Sequence, residues 1–173
     1  HELDQMLFHL PLAGSSFKKV YYESAKDRAV SKFVPAEDVV IPYTATDLES
    51  CERITHVVKI MGNELRKKQI NGMYRDVDIT PSSVDNNDAQ DKYDELDGLS
   101  ETQNAEDISL LEFHCDLDIP GFEDKNVTTG EVTGIKLPYV VTVDEGTNKV
   151  LSIYRNYREG DPLRKKVQYF VHY

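Results

Sequence analysis

The stretch SLLEFHCDLDI (residues 109–119) decides the fold class, because apolar and polar side chains alternate along it. From Leu111 onward every odd position is apolar and every even position is polar, which is the pattern of a β-strand with one covered face. The alternation predicts that Cys115 is a small buried hydrophobic residue. It also predicts that His114 lies on the opposite, solvated face.

The polar face of this strand carries residue types that bind metal ions, namely Glu112, His114, Asp116 and Asp118. Neighbours on one face of a strand are about 6.5–7 Å apart, so three of them cannot easily share one ion. We therefore predict no metal-binding, cofactor-binding or catalytic residue, and no cofactor. A metal-dependent enzyme of the nuclease type that uses these carboxylates and His114 is the alternative left open.

Strand patterns recur on both sides of this stretch. They are predicted at residues 17–23, 29–34, 53–61, 134–144, 149–157 and 166–173, with an extended or edge segment at 35–43. The polar turn at 24–28 and the EGTN turn at 145–148 each predict a β-hairpin.

Two short segments have helical spacing. Leu3, Met6, Leu7 and Leu10 recur every three or four residues, which predicts an amphipathic helix over residues 1–10 that Pro11 and Gly14 end. Asn63 is a predicted N-cap for a second helix over residues 64–71, and Gly72 is its predicted stop. A single longer helix over residues 56–70 is the alternative left open.

Between residues 81 and 107 the composition changes to nine acidic side chains against Lys92 alone. Such a segment has too little apolar surface to offset the entropy of ordering, which predicts a flexible acidic loop. The predicted fold is therefore α+β, a mostly antiparallel sheet with one or two packed helices. Residues 1–80 and 108–173 form the two halves of one domain, and the loop 81–107 separates them. An acidic protein-interaction module, whose loop folds on a basic partner, is a further alternative.

Charge and composition exclude several classes of protein. The net charge is −11 and the sequence pI is about 4.9, which disfavours tight binding of DNA by this segment. No apolar run is long enough to span a membrane. Cys51 and Cys115 do not make a disulfide framework, and His56 near Cys51 is interpreted as a core or partly buried histidine and not as the base of a thiol nucleophile.

Three short basic clusters stand out in this acidic chain. They are Lys18-Lys19, Arg66-Lys67-Lys68 and Arg164-Lys165-Lys166. Each is interpreted as a solvated edge or part of a protein or phosphate contact.

A series of phrases resembles the portal proteins of tailed bacteriophages, particularly those of the short-tailed type. The phrases are LPLAGSSFKKVYYE, FVPAEDVVIPYTATDLES, RITHVVKIMGNELRKKQINGMYRDV, CDLDIPGFED, TGIKLPYVVTVDEGTNKVLSIYRNY and QYFVHY, and they cover most of the chain outside the acidic loop. By position the chain corresponds to the peripheral wing of such a protein, outside the channel helices.

The resemblance implies a structural virion protein and not an enzyme. Portal proteins assemble as a ring, normally of twelve subunits, at one capsid vertex, after synthesis in the host cytoplasm. The ring is the head-to-tail connector through which double-stranded DNA is packaged and ejected. It contacts terminase, capsid or scaffold proteins and tail adaptors. DNA is not expected to bind the wing segment itself, and no membrane is involved.

Overall fold

The structure is a computed structural model that describes residues 2–23, 27–79, 107–126, 128–158 and 160–173. The helices are α1 (Glu2–Ala13) and α2 (Gly62–Ile70), and a 3-10 turn covers Ala36–Asp38. The strands are β1 (Ser16–Glu23), β2 (Arg28–Pro35), β3 (Val39–Val40), β4 (Arg53–Met61), β5 (Asp107–Leu117), β6 (Leu137–Asp144), β7 (Val150–Arg155) and β8 (Phe170–His172). The α+β class, mostly antiparallel, is confirmed. The predicted acidic loop lies outside the described residues except for Asp107, at which β5 begins.

A three-stranded antiparallel sheet has the order β2-β1-β8. The predicted first hairpin is confirmed, since β1 and β2 pair without a bulge from Ser16 opposite Pro35 to Glu23 opposite Arg28. Residues directly opposite each other point to the same face. The pair Phe17 and Val34 therefore faces one core, which Phe170, Val39, Cys51 and Ile54 complete.

Helix α1 packs on the hairpin through one narrow side. Met6 is its buried residue, the Glu2 carboxylate accepts the Phe33 N–H at 2.7 Å, and the His9 ring lies 5.2 Å from the Phe33 ring. The prediction that Pro11 ends this helix was wrong. Pro11 falls in the last turn, where its missing N–H costs a single hydrogen bond, and the helix continues to Ala13. Gly14, at φ +70°, supplies the left-handed residue that ends it.

A five-stranded sheet has the order β3-β4-β5-β6-β7. The short β3 pairs antiparallel with β4, which places Val39 opposite His56. The predicted hairpin of β6 and β7 is confirmed, and the buried Asp144 holds its turn. The carboxylate of Asp144 accepts hydrogen bonds from both the N–H and the hydroxyl of Thr147, while Asn148 takes the left-handed conformation.

Helix α2 begins at Gly62, two residues earlier than the sequence predicts. The predicted N-cap, Asn63, lies inside the helix, and Met61 occupies the capping position without a side-chain hydrogen bond. The start is set by the strand that precedes it, because β4 runs directly into α2. The predicted stop is correct, since Gly72 is left-handed. Leu65 of α2 packs in a second core with Ile60, Ile108, Leu110 and Leu151.

The chain divides into two compact units. The first comprises His1–His56, Phe113–Val140 and Tyr154–Tyr173, and the second comprises Val57–Glu112 and Val141–Ile153. Strands β4 to β7 each contribute residues to both units. In the described parts of the chain, neither helix is long and apolar enough to cross a membrane.

Candidate functional site

His114 is buried, contrary to the prediction of a solvated polar face. Its side chain is 4% exposed and packs 5.4 Å from the Tyr169 ring and 5.2 Å from the Phe170 ring. The buried residues Ile108 and Leu110 share its parity along β5, and Glu112 between Leu110 and His114 is partly buried. Only beyond it, at Asp116 and Asp118, does the even face become exposed.

Within the part of the chain that the structure describes, neither cysteine is hydrogen-bonded to a histidine base. The buried Cys51 thiol donates to the Arg53 carbonyl at 2.9 Å. Nδ1 of His56 lies 3.5 Å from Nζ of Lys19, and the His56 ring packs edge-on against Phe170. His56 is partly buried, in agreement with its interpretation as a core or partly buried histidine. Cys115 is only half-buried, so the prediction that it is a buried residue was wrong.

Cys115 is expected to react slowly with alkylating reagents. Burial raises the pKa of its thiol above the ordinary value of 9.0, and the negative charge of Asp116 adds to the rise. The reactive thiolate is therefore scarce near neutral pH. We expect the rate of iodoacetamide labelling, followed by mass spectrometry in a Cys51→Ser background, to have its midpoint above pH 9.0. Half-maximal labelling at pH 8 or below would contradict this assignment.

The first unit contains a groove with a volume of about 770 Å³. We call it the basic-turn groove; it is lined by residues of the segments 49–52, 135–138 and 162–168 and by Asp116. Its apolar lining consists mainly of Ile135, Pro138 and Leu163. Lys166 joins two walls, because its Nζ donates to the Cys51 carbonyl at 2.6 Å.

One wall of the groove is anchored by a buried ion pair. The carboxylate of Asp124 is 4% exposed, lies 2.5 Å from the Arg164 guanidinium and accepts the Thr133 hydroxyl at 2.6 Å. The sequence interpretation of Arg164 as a solvated or contact residue was therefore incomplete, because the side chain is only 28% exposed. Asp124 and Arg164 are 40 residues apart in sequence, and no local pattern relates them.

Hydrogen bonds within the turn that carries Arg164 also stabilise it. The Asp161 carboxylate accepts the N–H groups of Leu163 and Lys165, each at 3.0 Å. Arg164 itself has φ +46°, a left-handed conformation that is unfavourable for a side chain with a Cβ. Hydrogen bonds on both sides and the pair with Asp124 offset that cost, so Leu163 projects from an ordered turn.

Acid is expected to loosen this turn. The N–H groups of Lys165 and Leu163 hold the pKa of Asp161 below its ordinary value of 3.8. A carboxyl with a lowered folded-state pKa contributes stability above its unfolded pKa and loses that contribution as the pH falls through the folded value. In an NMR titration the amide signals of Leu163 and Lys165 should therefore shift with a midpoint below pH 3.8. A midpoint above that value, or no shift, would contradict the capping role; Asp161→Asn should abolish the transition.

A hydroxyl–imidazole pair lies where β1 begins, beside β8. Oγ of Ser15 is 2.7 Å from Nε2 of His172, whose ring stacks on Phe17 at 4.9 Å. Acyl transfer would also require a group that orients the imidazole and donors for an oxyanion. The hydrogen bond between Ser15 and His172 and the stacking of His172 on Phe17 instead hold β8 against the start of β1.

The chain was compared with protein families and with curated proteins. No family model matches it, and no curated protein matches it.

Among the described residues, no group of three or more His, Cys, Asp or Glu side chains is placed to hold a metal ion. The basic-turn groove, with apolar lining and charges of both signs at its edge, is suited to hold a protein surface.

Proposed function

We propose that the chain is a structural subunit of a phage portal ring and forms its wing region. The phrase series quoted above supports this proposal from the sequence. The structural observation that carries it is the exposure of large apolar side chains on α1, where Leu3, Leu7, Phe8 and Leu12 are 51–74% exposed. Several large apolar side chains exposed on one short helix are typical of a subunit that buries them against a neighbour.

In this proposal the contribution of the chain is mechanical. The sheets provide a rigid scaffold, and the apolar surface of α1 and the basic-turn groove provide contacts to other proteins. Further copies of the chain are the first partners, in a ring of twelve subunits. Terminase, capsid or scaffold proteins and tail adaptors are the others. DNA passes through the completed ring, at the capsid vertex of the virion, without binding this segment.

Electron microscopy tests the proposal directly. The protein expressed from its complete reading frame should form closed rings, with twelvefold symmetry in class averages. The same preparation should elute from a sizing column as an assembly far larger than one chain. Monomers, open aggregates or dimers in place of closed rings would overturn it.

A further inference from the structure

The turn that ends α2 contains the dipeptide Asn71-Gly72, the one place in the sequence where glycine follows asparagine. Asparagine is chemically labile in this context, because glycine has no side chain to hinder attack by its own amide nitrogen on the asparagine side chain. Both residues are exposed at the end of the helix. The reacting groups are therefore in contact with water, which the reaction consumes.

The reaction that this dipeptide can undergo is deamidation. The Gly72 nitrogen gives up its proton and attacks Cγ of Asn71, and the side-chain nitrogen leaves as ammonia, so that a five-membered imide is formed. Water then opens the imide at one of its two carbonyl carbons. Cleavage between Cγ and the nitrogen gives aspartate, whereas cleavage of the original peptide bond gives isoaspartate. In either case one amide and one water are converted to one carboxylate and one ammonium ion.

The folded turn opposes the first step of this reaction. Asn71 has helical dihedral angles, φ −75° and ψ 0°, which turn the Gly72 nitrogen away from the Asn71 side chain. The same nitrogen donates a hydrogen bond to the Gln69 carbonyl at 3.0 Å. Ring closure therefore requires the loss of that hydrogen bond and a rotation of the peptide, which is a local opening of the turn.

Side chains of α2 hold the turn closed. Nε2 of the buried Gln69 donates to the Val77 carbonyl at 2.9 Å and to the Arg75 carbonyl at 3.3 Å. These two hydrogen bonds tie the chain that follows the turn back to the helix. Arg66 donates in turn to Oε1 of Gln69 at 3.1 Å, which fixes the orientation of the Gln69 amide.

We propose that Asn71 is a site of spontaneous deamidation, and that Gln69 restrains the reaction by holding the turn closed. The released ammonia makes the change permanent. The new carboxylate lies at the negative end of the α2 dipole, where negative charge is unfavourable. Isoaspartate also lengthens the backbone by one methylene, so the hydrogen bonds of the turn cannot re-form unchanged. Modification therefore leaves the turn looser than before. Nothing in this chemistry depends on the proposed ring.

Peptide mapping of the full chain measures the reaction. Trypsin releases residues 69–75, in which Asn71 is the sole asparagine, and chromatography with mass spectrometry separates its three forms. Near neutral pH, conversion should be about tenfold or more slower in the folded chain than in the chain unfolded in urea. Asn148, which is exposed and precedes Lys149, should convert far more slowly than Asn71 in urea. Equal rates for the folded and unfolded chain would refute the restraint, and equal rates for the two asparagines in urea would refute the site.

Gln69→Ala tests the role of the side chain that closes the turn. It should speed conversion of Asn71 in the folded chain about five- to tenfold, because two hydrogen bonds that oppose opening are lost. The rate in urea should not change, since the dipeptide is the same. Gln5→Ala, the same substitution at an exposed position of α1, should change neither rate. Arg66→Ala removes a side chain that is 56% exposed, so it spares the core, and should speed conversion about two- to threefold. Folded-state rates equal to that of Gln5→Ala in both other variants would overturn the proposal.

Asn71→Asp reproduces the aspartate product and tests its effect on the turn. The Met73 N–H donates to the Lys68 carbonyl at 3.0 Å, so its hydrogen exchange reports on opening. That exchange should become about two- to fivefold faster in Asn71→Asp. Asn63→Asp makes the same change of charge near the N-terminal end of α2, where the dipole favours it, and should not speed the exchange. Equal exchange in the two variants would refute the loosening.

Discussion

Replacing Arg164 with alanine is expected to destabilise the protein by about 3 kcal/mol. The substitution leaves the Asp124 carboxylate buried with the Thr133 hydroxyl as its remaining side-chain donor. Breaking a buried ion pair typically costs about 3–5 kcal/mol, and the lower end applies because Arg164 retains some solvent access. Urea denaturation followed by circular dichroism measures the change.

Two further variants make this result specific. Asp124→Asn combined with Arg164→Ala should recover part of the loss, because it removes the uncompensated charge. Arg28→Ala, at an exposed strand end, should change stability by less than about 0.5 kcal/mol. A loss for Arg164→Ala that is no larger than the loss for Arg28→Ala would show that the ion pair is not stabilising.

Leu151→Ala is expected to have an effect of similar size on the second core. Leu151 is 0% exposed and packs with Ile60, Leu65, Ile108 and Leu110. Removal of a buried leucine side chain costs about 2–5 kcal/mol through lost burial and the cavity left behind.

Leu163→Ala is the matched control for this variant. It removes the same atoms from a leucine that is mostly in water, so it should shift stability by no more than about 0.5 kcal/mol. Equal losses in the two variants would contradict the placement of Leu151. Since Arg164 and Leu151 belong to different units, their denaturation curves also report whether the two units unfold in one transition.

Local patterns were sufficient for most of the strands. The hairpin of β1 and β2 and the hairpin of β6 and β7 follow from period-two alternation and from turn residues such as Gly146 and Asn148. These features depend on neighbours in sequence, so a single sequence contains the information that specifies them. Gly72 was likewise predictable as a helix end, because a left-handed position favours glycine.

The error at His114 has a physical cause. Alternation shows which residues of a strand share a face, but not which face is covered. The odd positions from Leu111 onward are apolar, which suggested that the odd face of the strand is buried. Ile108 and Leu110 are buried on the even face instead. The aromatic rings that bury His114 come from Tyr169 and Phe170, more than 50 residues away. A histidine can occupy that position because its ring packs well against other rings.

The groove could not be predicted from the sequence. Asp124 follows a Pro-Gly turn and resembles any solvated loop carboxylate, and Arg164 sits in a run of basic residues. Their partnership arises only when separate segments meet in the fold. The exposed side of α1 was missed for a related reason. Helical spacing identifies an apolar stripe but does not say whether the chain itself covers it.

The pairing of β1 with β8 also determines when the protein can fold during synthesis. Phe17 lies opposite His172, so the first sheet joins segments made at opposite ends of this sequence. The buried ring of Phe170 completes the core that Phe17 and Val34 begin. A nascent chain that has emerged only as far as β7 therefore presents an unfinished apolar hairpin surface. Closing so long a loop is slow compared with local pairing, so we expect the first sheet and its core to be completed only after β8 has been synthesised.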